Sequence, residues 1–343
     1  MAQINKPSEY FNTVTYAGNS ATQSITGVNF QPDLVWLKPR SVVDAHRLMN
    51  SVSGAGFYLM SNATNDESAS GTRFTSFDAD GFTLGDADEG WNQSGQTYAS
   101  WNWKAGGTAS SNTDGDITSS VSASTTSGFS VVSYTGNATA GATVGHGLGI
   151  APDVVICKQT GGVNDWMSYH SVLGNTKSMR LNATNAVATS TTYWNDTSPT
   201  STVFSLGSDT KGNASSTMIA YCFAEKKGFS KFGSYVGNGS TDGTFIYTGF
   251  KPAYFVIKRT DTTENWYCTD NKRNPINPVD NELLLLNKTD ATITSSYPVD
   301  FLSNGFKIRG NNNITNASGG TYIYMAFAEN PFVTSTGIPT PAR

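Results

Sequence analysis

The sequence predicts an all-β protein of three tandem β-sandwich repeats, jelly-roll-like in form. Three observations predict it: a turn-rich, charge-poor composition, a motif that occurs three times, and a closing strand of two-residue period in each copy. Charged residues make up 14% of the 343 positions, aromatics make up 12%, and 34 residues are glycine. A globular chain normally carries about a quarter charged residues. Disordered chains lack the aromatic and β-branched side chains needed to bury surface. The mixture therefore reads as many short strands joined by turns in which Gly and Asn supply positive φ.

The motif runs Phe30-Gln31-Pro32-Asp33-Leu34-Val35-Trp36-Leu37-Lys38, then Ile150-Ala151-Pro152-Asp153-Val154-Val155-Ile156-Cys157-Lys158, then Phe250-Lys251-Pro252-Ala253-Tyr254-Phe255-Val256-Ile257-Lys258. Its prolines and lysines are spaced by 120 and 100 residues. Each unit reads as a Pro-punctuated turn and a short buried strand that surfaces at its lysine. Upstream of each lies a strand entering a Gly-Asn turn, at Tyr16, Tyr134 and Tyr235. Downstream lie Ser61-Asn62-Ala63-Thr64, Leu181-Asn182-Ala183-Thr184 and Leu286-Asn287-Lys288-Thr289.

Each copy closes with an Asn-x-Ser turn (Asn92, Asn213, Asn316) and a long strand. Alternation places Ala99, Trp101 and Trp103 on one face, as it does Ile219, Tyr221, Phe223 and Ile323, Met325, Phe327. The opposite row is also apolar in copies two and three (Met218, Ala220, Cys222; Tyr322, Tyr324, Ala326), which marks a central strand. In copy one Ser100 and Asn102 stand there, predicting a wetter face. Long aromatic strands with frequent turns and no helical period favour two packed sheets per copy.

The repeats are expected at residues 1–107, 128–227 and 228–330. Residues 108–127 form a Gly/Ser/Thr-rich linker, either a flexible tether or an extended edge segment. Glu225-Lys226-Lys227 is a short joint that holds copies two and three in near-fixed relation. Residues 331–343, with three prolines, are expected to form an extended arm that docks on a neighbour or stays loose.

The net charge is −4 and no Lys/Arg cluster offers the phosphate neutralisation that duplex binding needs, so nucleic acid is not expected as a partner. No run reaches the ~18 apolar residues of a membrane span. Met1 to Pro7 has no signal-peptide core. Cys157, Cys222 and Cys268 are scattered in apolar runs and read as buried free thiols of a chain made in a reducing cytosol.

The repeats also screen candidate sites. Asp78, Asp80, Asp86 and Glu89 have a partial calcium-loop spacing, but Phe82 and Thr83 occupy the positions of a ligand and the turn glycine. Asp80-Gly81 corresponds to Asn304-Gly305, a hairpin turn. His46 aligns with Trp166 and Trp266, a packing position, and His170 aligns with Asn50 and Asp270. His146 lies in a glycine-rich turn that lacks the Lys-Ser/Thr of a phosphate loop. No nucleophile-elbow context occurs, and no cofactor, metal or catalytic residue is expected. The ten Asn-x-Ser/Thr sequons, recurring at Asn62, Asn182 and Asn287 and at Asn137 and Asn238, read as turn chemistry. Aromatics in polar loops remain: Trp91 beside Asn92, and Tyr193-Trp194 before Asn195-Asp196. A ring flanked by amides and carboxylates suits sugar stacking, and equally suits capping a sandwich end.

Together these motifs (Tyr-x-Gly-Asn, the Pro-to-Lys strand, Leu302-Ser303-Asn304-Gly305-Phe306, and Gly-x-Thr-Tyr at Gly95 and Gly319) resemble repeat-bearing virion proteins of marine tailed phages, such as those of cyanobacteria, over nearly the whole chain. Copy two departs most, with Ser201-Thr202-Val203-Phe204 in place of the Asp/Asn-Gly-Phe turn. The resemblance implies a non-enzymatic virion structural protein, assembled in the host bacterial cytoplasm and exposed on the particle. It would be a fibre or appendage component for host attachment, with head decoration as the alternative and a surface-polysaccharide depolymerase as a remote third. Its partners would be tail, portal-proximal or capsid proteins, a host-surface glycan, and further copies in a homo-oligomer, a trimer being favoured. No membrane partner is expected.

Overall fold

The computed structural model describes residues 3–85, 88–279, 282–294 and 297–341 as a nearly all-β chain of several antiparallel sheets. Each copy builds a larger sheet on one plan. An opening strand (Phe11–Ala17, Phe129–Thr135, Ser230–Val236) pairs with the closing strand (Thr97–Trp103, Thr217–Phe223, Thr321–Pro331). The closing strand pairs on its other side with the lysine strand (Leu34–Pro39, Val154–Gln159, Phe250–Arg259), and a fourth strand follows (Arg47–Asn50, Met167–His170, Trp266–Asp270). The register repeats too: Phe11, Phe129 and Ser230 face Trp103, Phe223 and Phe327. The closing strand sits centrally in every copy, as a strand apolar on both faces requires in copies two and three, where each face needs a cover.

One cover comes from the same copy. In copy one the smaller sheet is Gln23–Ile25, Phe74–Asp78 and Gly81–Leu84; in copy three it is Phe245–Tyr247, Val299–Leu302 and Gly305–Ile308. Copy two has only Thr143–Gly145 and Val203–Ser205. Phe204 and Leu206 pack with Met218, Ala220 and Cys222, as Phe301, Phe306 and Ile308 pack with Tyr322, Tyr324 and Ala326. The other cover comes from the other two copies. Trp101 and Trp103, Tyr221 and Phe223, Met325 and Phe327 all belong to one shared cluster, with Trp36, Ile156 and Val256 from the lysine strands. The rings of Trp103, Phe223 and Phe327, equivalent residues of the three copies, close a triangle with centroids 5.5 to 6.3 Å apart. The three larger sheets thus surround a common centre in a pseudo-threefold arrangement.

Two expectations are corrected and a third is decided between its alternatives. Ser100 and Asn102 are fully buried. The Asn102 amide donates to Asn12 O and Ser100 Oγ (both 3.1 Å), while Asn12 Nδ2 reaches Val28 O (3.2 Å) and ties a loop across that face. Of the two forms expected for residues 108–127, the structure has the extended edge segment. Ser110–Asn112 and Ser119–Ser124 extend the larger sheet of copy two, and Ile117 N donates to Thr143 O (3.0 Å) beside its smaller one. Val121 gives the segment an apolar anchor in that copy's core. The C-terminal segment docks on this chain's own beginning: Asn5 Nδ2 donates to Ser335 Oγ (2.7 Å) and Ser335 N to Asn5 Oδ1 (2.9 Å).

A shared core predicts shared unfolding. Calorimetry of the whole chain is expected to show one cooperative transition, and Phe327→Ala in copy three is expected to cost about 3–5 kcal/mol. The fluorescence of Trp101 and Trp103 in copy one should be lost in that same lowered transition. A separate unperturbed copy-one transition would contradict a common core.

Candidate functional site

The titratable residues that recur in the repeats serve the seams between copies. The three motif lysines do not surface; Lys38, Lys158 and Lys258 are each 0% exposed. Each ammonium donates to the carbonyl of its own next residue and to a carbonyl of another copy. Lys158 Nζ reaches Gln159 O (2.8 Å) and Thr64 O (3.2 Å), and Lys258 Nζ reaches Arg259 O (2.8 Å) and Thr184 O (3.2 Å). Lys38 Nζ closes the ring on Pro39 O (2.7 Å) and Thr289 O (3.3 Å). Burial lowers all three to about 8.

The position shared by a histidine and two tryptophans does the same work. Trp166 Nε1 donates to Met60 O (3.0 Å), Trp266 Nε1 to Arg180 O (2.9 Å), and His46 Nε2 lies 3.1 Å from Leu285 O. His46 Nδ1 accepts from Trp36 Nε1 (2.9 Å), which fixes the Nε2–H tautomer and a neutral ring. Burial, then the Lys38 charge, holds His46 well below the ordinary histidine range. His170 Nε2 lies 3.2 Å from Tyr324 O of copy three, and burial lowers this ring to about 4. At the matching positions Asn50 Nδ2 reaches Tyr221 Oη (3.4 Å), and Asp270 Oδ2 accepts from Trp101 Nε1 (3.0 Å). His146 is buried in its turn, bonded to Thr200 O and Leu148 N.

The turn asparagines are structural. Asn62, Asn182 and Asn287 accept the main-chain N–H of His46, Trp166 and Trp266 at 2.9 to 3.0 Å. Asn92, Asn213 and Asn316 are 0% exposed and clamp the opening strand's turn. Asn213, for example, accepts from Asn137 N and donates to Thr139 O and Gly207 O. In the calcium-like stretch, Asp80 receives Gly27 N (3.1 Å) and Asp78 receives the hydroxyls of Ser76 and Thr83. Gly81 opens the hairpin strand at φ +121°, where a Cβ would collide with Ile25 O. Asp86 lies outside the described residues. Among the described residues no group of three or more His, Cys, Asp or Glu is placed to hold a metal ion.

The loop aromatics divide. Trp91 is 1% exposed, with the Arg47 guanidinium 5.0 Å above its ring and Tyr58 edge-on. Trp194 is equally buried, donates to Lys177 O (3.0 Å) and packs edge-on against Tyr169. Neither ring presents a face to a ligand; their polar neighbours stay outside while the rings turn inward. Tyr193 does not follow them. It lies on the one-turn helix Thr191–Trp194, which starts at a Ser190 cap and leaves through Asn195 in the left-handed region. Half-buried, it lines a cleft of about 300 Å³ with Ser178, Arg180, Asn185, Lys211 and, from copy three, Thr263. Arg180 is paired with Asp165 (3.3 Å) and Lys211 with Asp209 (2.9 Å), so the cleft offers donors with little net charge. Sequence reading picked out Tyr193 by its polar flanks; Arg180 and Asn185 carried no signal, being distant from it in the chain.

A family model described as a domain of unknown function, DUF7483, matches residues 6–331. No curated protein and no solved structure matches the chain.

The His170 contact carries a pH signature. Unfolded, the ring takes up its proton near 6.5; folded, only near 4. Its stabilising contribution is therefore complete above pH 6.5 and lost as pH falls toward 4, up to about 3 kcal/mol. His170→Asn, which installs the copy-one residue at this position, should flatten the slope of stability against pH between 6.5 and 4 in denaturant titrations. An unchanged slope would refute the neutral-ring contact.

Proposed function

Because the chain belongs to the DUF7483 family, which has no defined function, its role is read from its own residues. We propose that it is a non-enzymatic structural protein on the exterior of a phage virion, a fibre or appendage component that attaches to a host-surface glycan. The observation that carries attachment is the Tyr193 cleft: a half-buried phenol ring beside guanidinium, ammonium and amide donors, at a seam held by buried contacts. An aromatic face with convergent donors suits a sugar ring and its hydroxyls. Each larger sheet with its smaller partner reads as a jelly-roll-like sandwich. The three-copy body offers tail or capsid proteins a threefold-like mount, and further copies of the chain are also expected partners.

Head decoration is the second reading, favoured by the same pseudo-threefold shape, which suits a symmetric lattice position. Immunogold labelling of intact particles separates them: label at the tail supports attachment, and label confined to the head overturns it. On a glycan array, wild type is expected to bind. Tyr193→Ala should lose binding at least tenfold while keeping its unfolding transition, whereas Trp194→Ala should lose both. Wild type that binds no glycan would end the attachment reading.

A further inference from the structure

A second cleft lies where copies one and three meet, and two departures from the repeat converge on it. In copies one and two an aspartate bridges the start of the lysine strand to the end of the closing strand. Asp33 accepts from Ala105 N (2.6 Å) and Ser51 Oγ (2.7 Å), and Asp153 accepts from Glu225 N (2.8 Å) and Ser171 Oγ (3.1 Å). In copy three the aspartate is Ala253 and the serine is Asn271. The main-chain bond joining these positions is kept at 2.7 to 2.9 Å in all three copies, so the equivalence is structural. The carboxylate is now supplied by Glu329, which accepts from Asn271 Nδ2 (2.7 Å) and pairs with Lys251 (3.2 Å). The change opens a cleft of about 270 Å³ over Ala253.

The second departure faces it from copy one. Opposite Trp101, Tyr221 and Met325 the opening strands place Thr13, Val131 and Phe232. The valine and phenylalanine fill the shared core. Thr13 is 4% exposed, lines the cleft, and its Oγ1 has no hydrogen-bond partner among the described residues. A buried hydroxyl left unpaired is costly, and a valine would fit the pattern without that cost. Asn12, Asn29, Asn330 and Ser8 set amides and hydroxyls around an alanine floor, with the exposed Lys272 at the edge.

We propose that this cleft is a binding site for a neutral, hydroxyl-rich ligand, a saccharide unit whose hydroxyl pairs with Thr13 and whose ring lies over Ala253. It does not rest on the attachment reading. Amides and hydroxyls both donate and accept, which suits sugar hydroxyls, and Lys272 at the edge makes anions the necessary comparison.

Titration calorimetry and saturation-transfer NMR of the full chain test it. The probes are glucose, galactose, mannose and N-acetylglucosamine, with glucuronate and inorganic phosphate for comparison. At least one neutral sugar should bind saturably. Thr13→Val should weaken it about fivefold, the worth of one hydrogen bond, with the unfolding transition held or raised. The double variant A253D/E329A, which restores the copy-one aspartate and alanine, should abolish binding; if it does not fold, Thr13→Val decides. Tyr193→Ala should leave this binding intact, which separates the two clefts. The proposal is overturned if no neutral sugar binds, if only the anions bind, or if Thr13→Val binds as wild type does.

Discussion

The molecule depends on burying the inward row of three closing strands against one another. Trp103, Phe223 and Phe327 are at most 5% exposed, and each ring packs against rings of the other two copies. A copy standing alone would present that row to water, at a cost of about 1.5–3 kcal/mol for each large side chain. The three copies are therefore sectors of one core, and the chain order merely supplies them in sequence. The smaller sheets complete each sector from outside without contributing to the centre.

Apolar burial is non-directional and would accept many relative placements of three greasy sheets. The seam contacts remove that freedom. A lysine stem can lie along apolar surface while its head reaches a specific carbonyl, and here three such heads each bridge to another copy. A buried cation gives little net stability, because its desolvation cost offsets much of what its partners return. A misplaced seam would strand three ammonium groups and the carbonyls of Thr64, Thr184 and Thr289 together. The apolar centre accordingly accounts for most of the stability, and the polar seams specify the arrangement.

The strands and their central closing member were legible because two-residue alternation and internal repetition are local signals. The common core was not. Apolar residues on both faces of Ile219–Phe223 say that two covers exist and are silent on whether the second belongs to the same copy. The lysines misled for a related reason: a charge at a strand end ordinarily marks the return to solvent. Only its recurrence at the same place in each motif, followed each time by a strand end, pointed to a structural duty. Trp91 and Trp194 show the limit for sites. Their neighbours are polar, but a loop's polarity describes its backbone path and leaves the direction of a single ring undetermined. Tyr193, adjacent in sequence to Trp194, packs against the edge of the same cluster and stays only half-buried.

Repetition also separates what folding requires from what it merely allows. A residue needed by the scaffold should have a counterpart in each copy, as the seam lysines and clamp asparagines do. On the edge strand of the smaller sheet, Ile25, Val144 and Ile246 face Phe82, Phe204 and Phe306, and that inward pair is constant in character. The preceding outward position carries Ser24, Thr143 and Phe245, and the phenylalanine is 43% exposed. Two copies fold with a hydroxyl there, so the ring is not a demand of the fold. Water-facing aromatic surface gains nothing from burial that does not occur. Its presence in copy three alone places it with the residues that copies one and two leave out: an asymmetric skin over a centre held symmetric by packing.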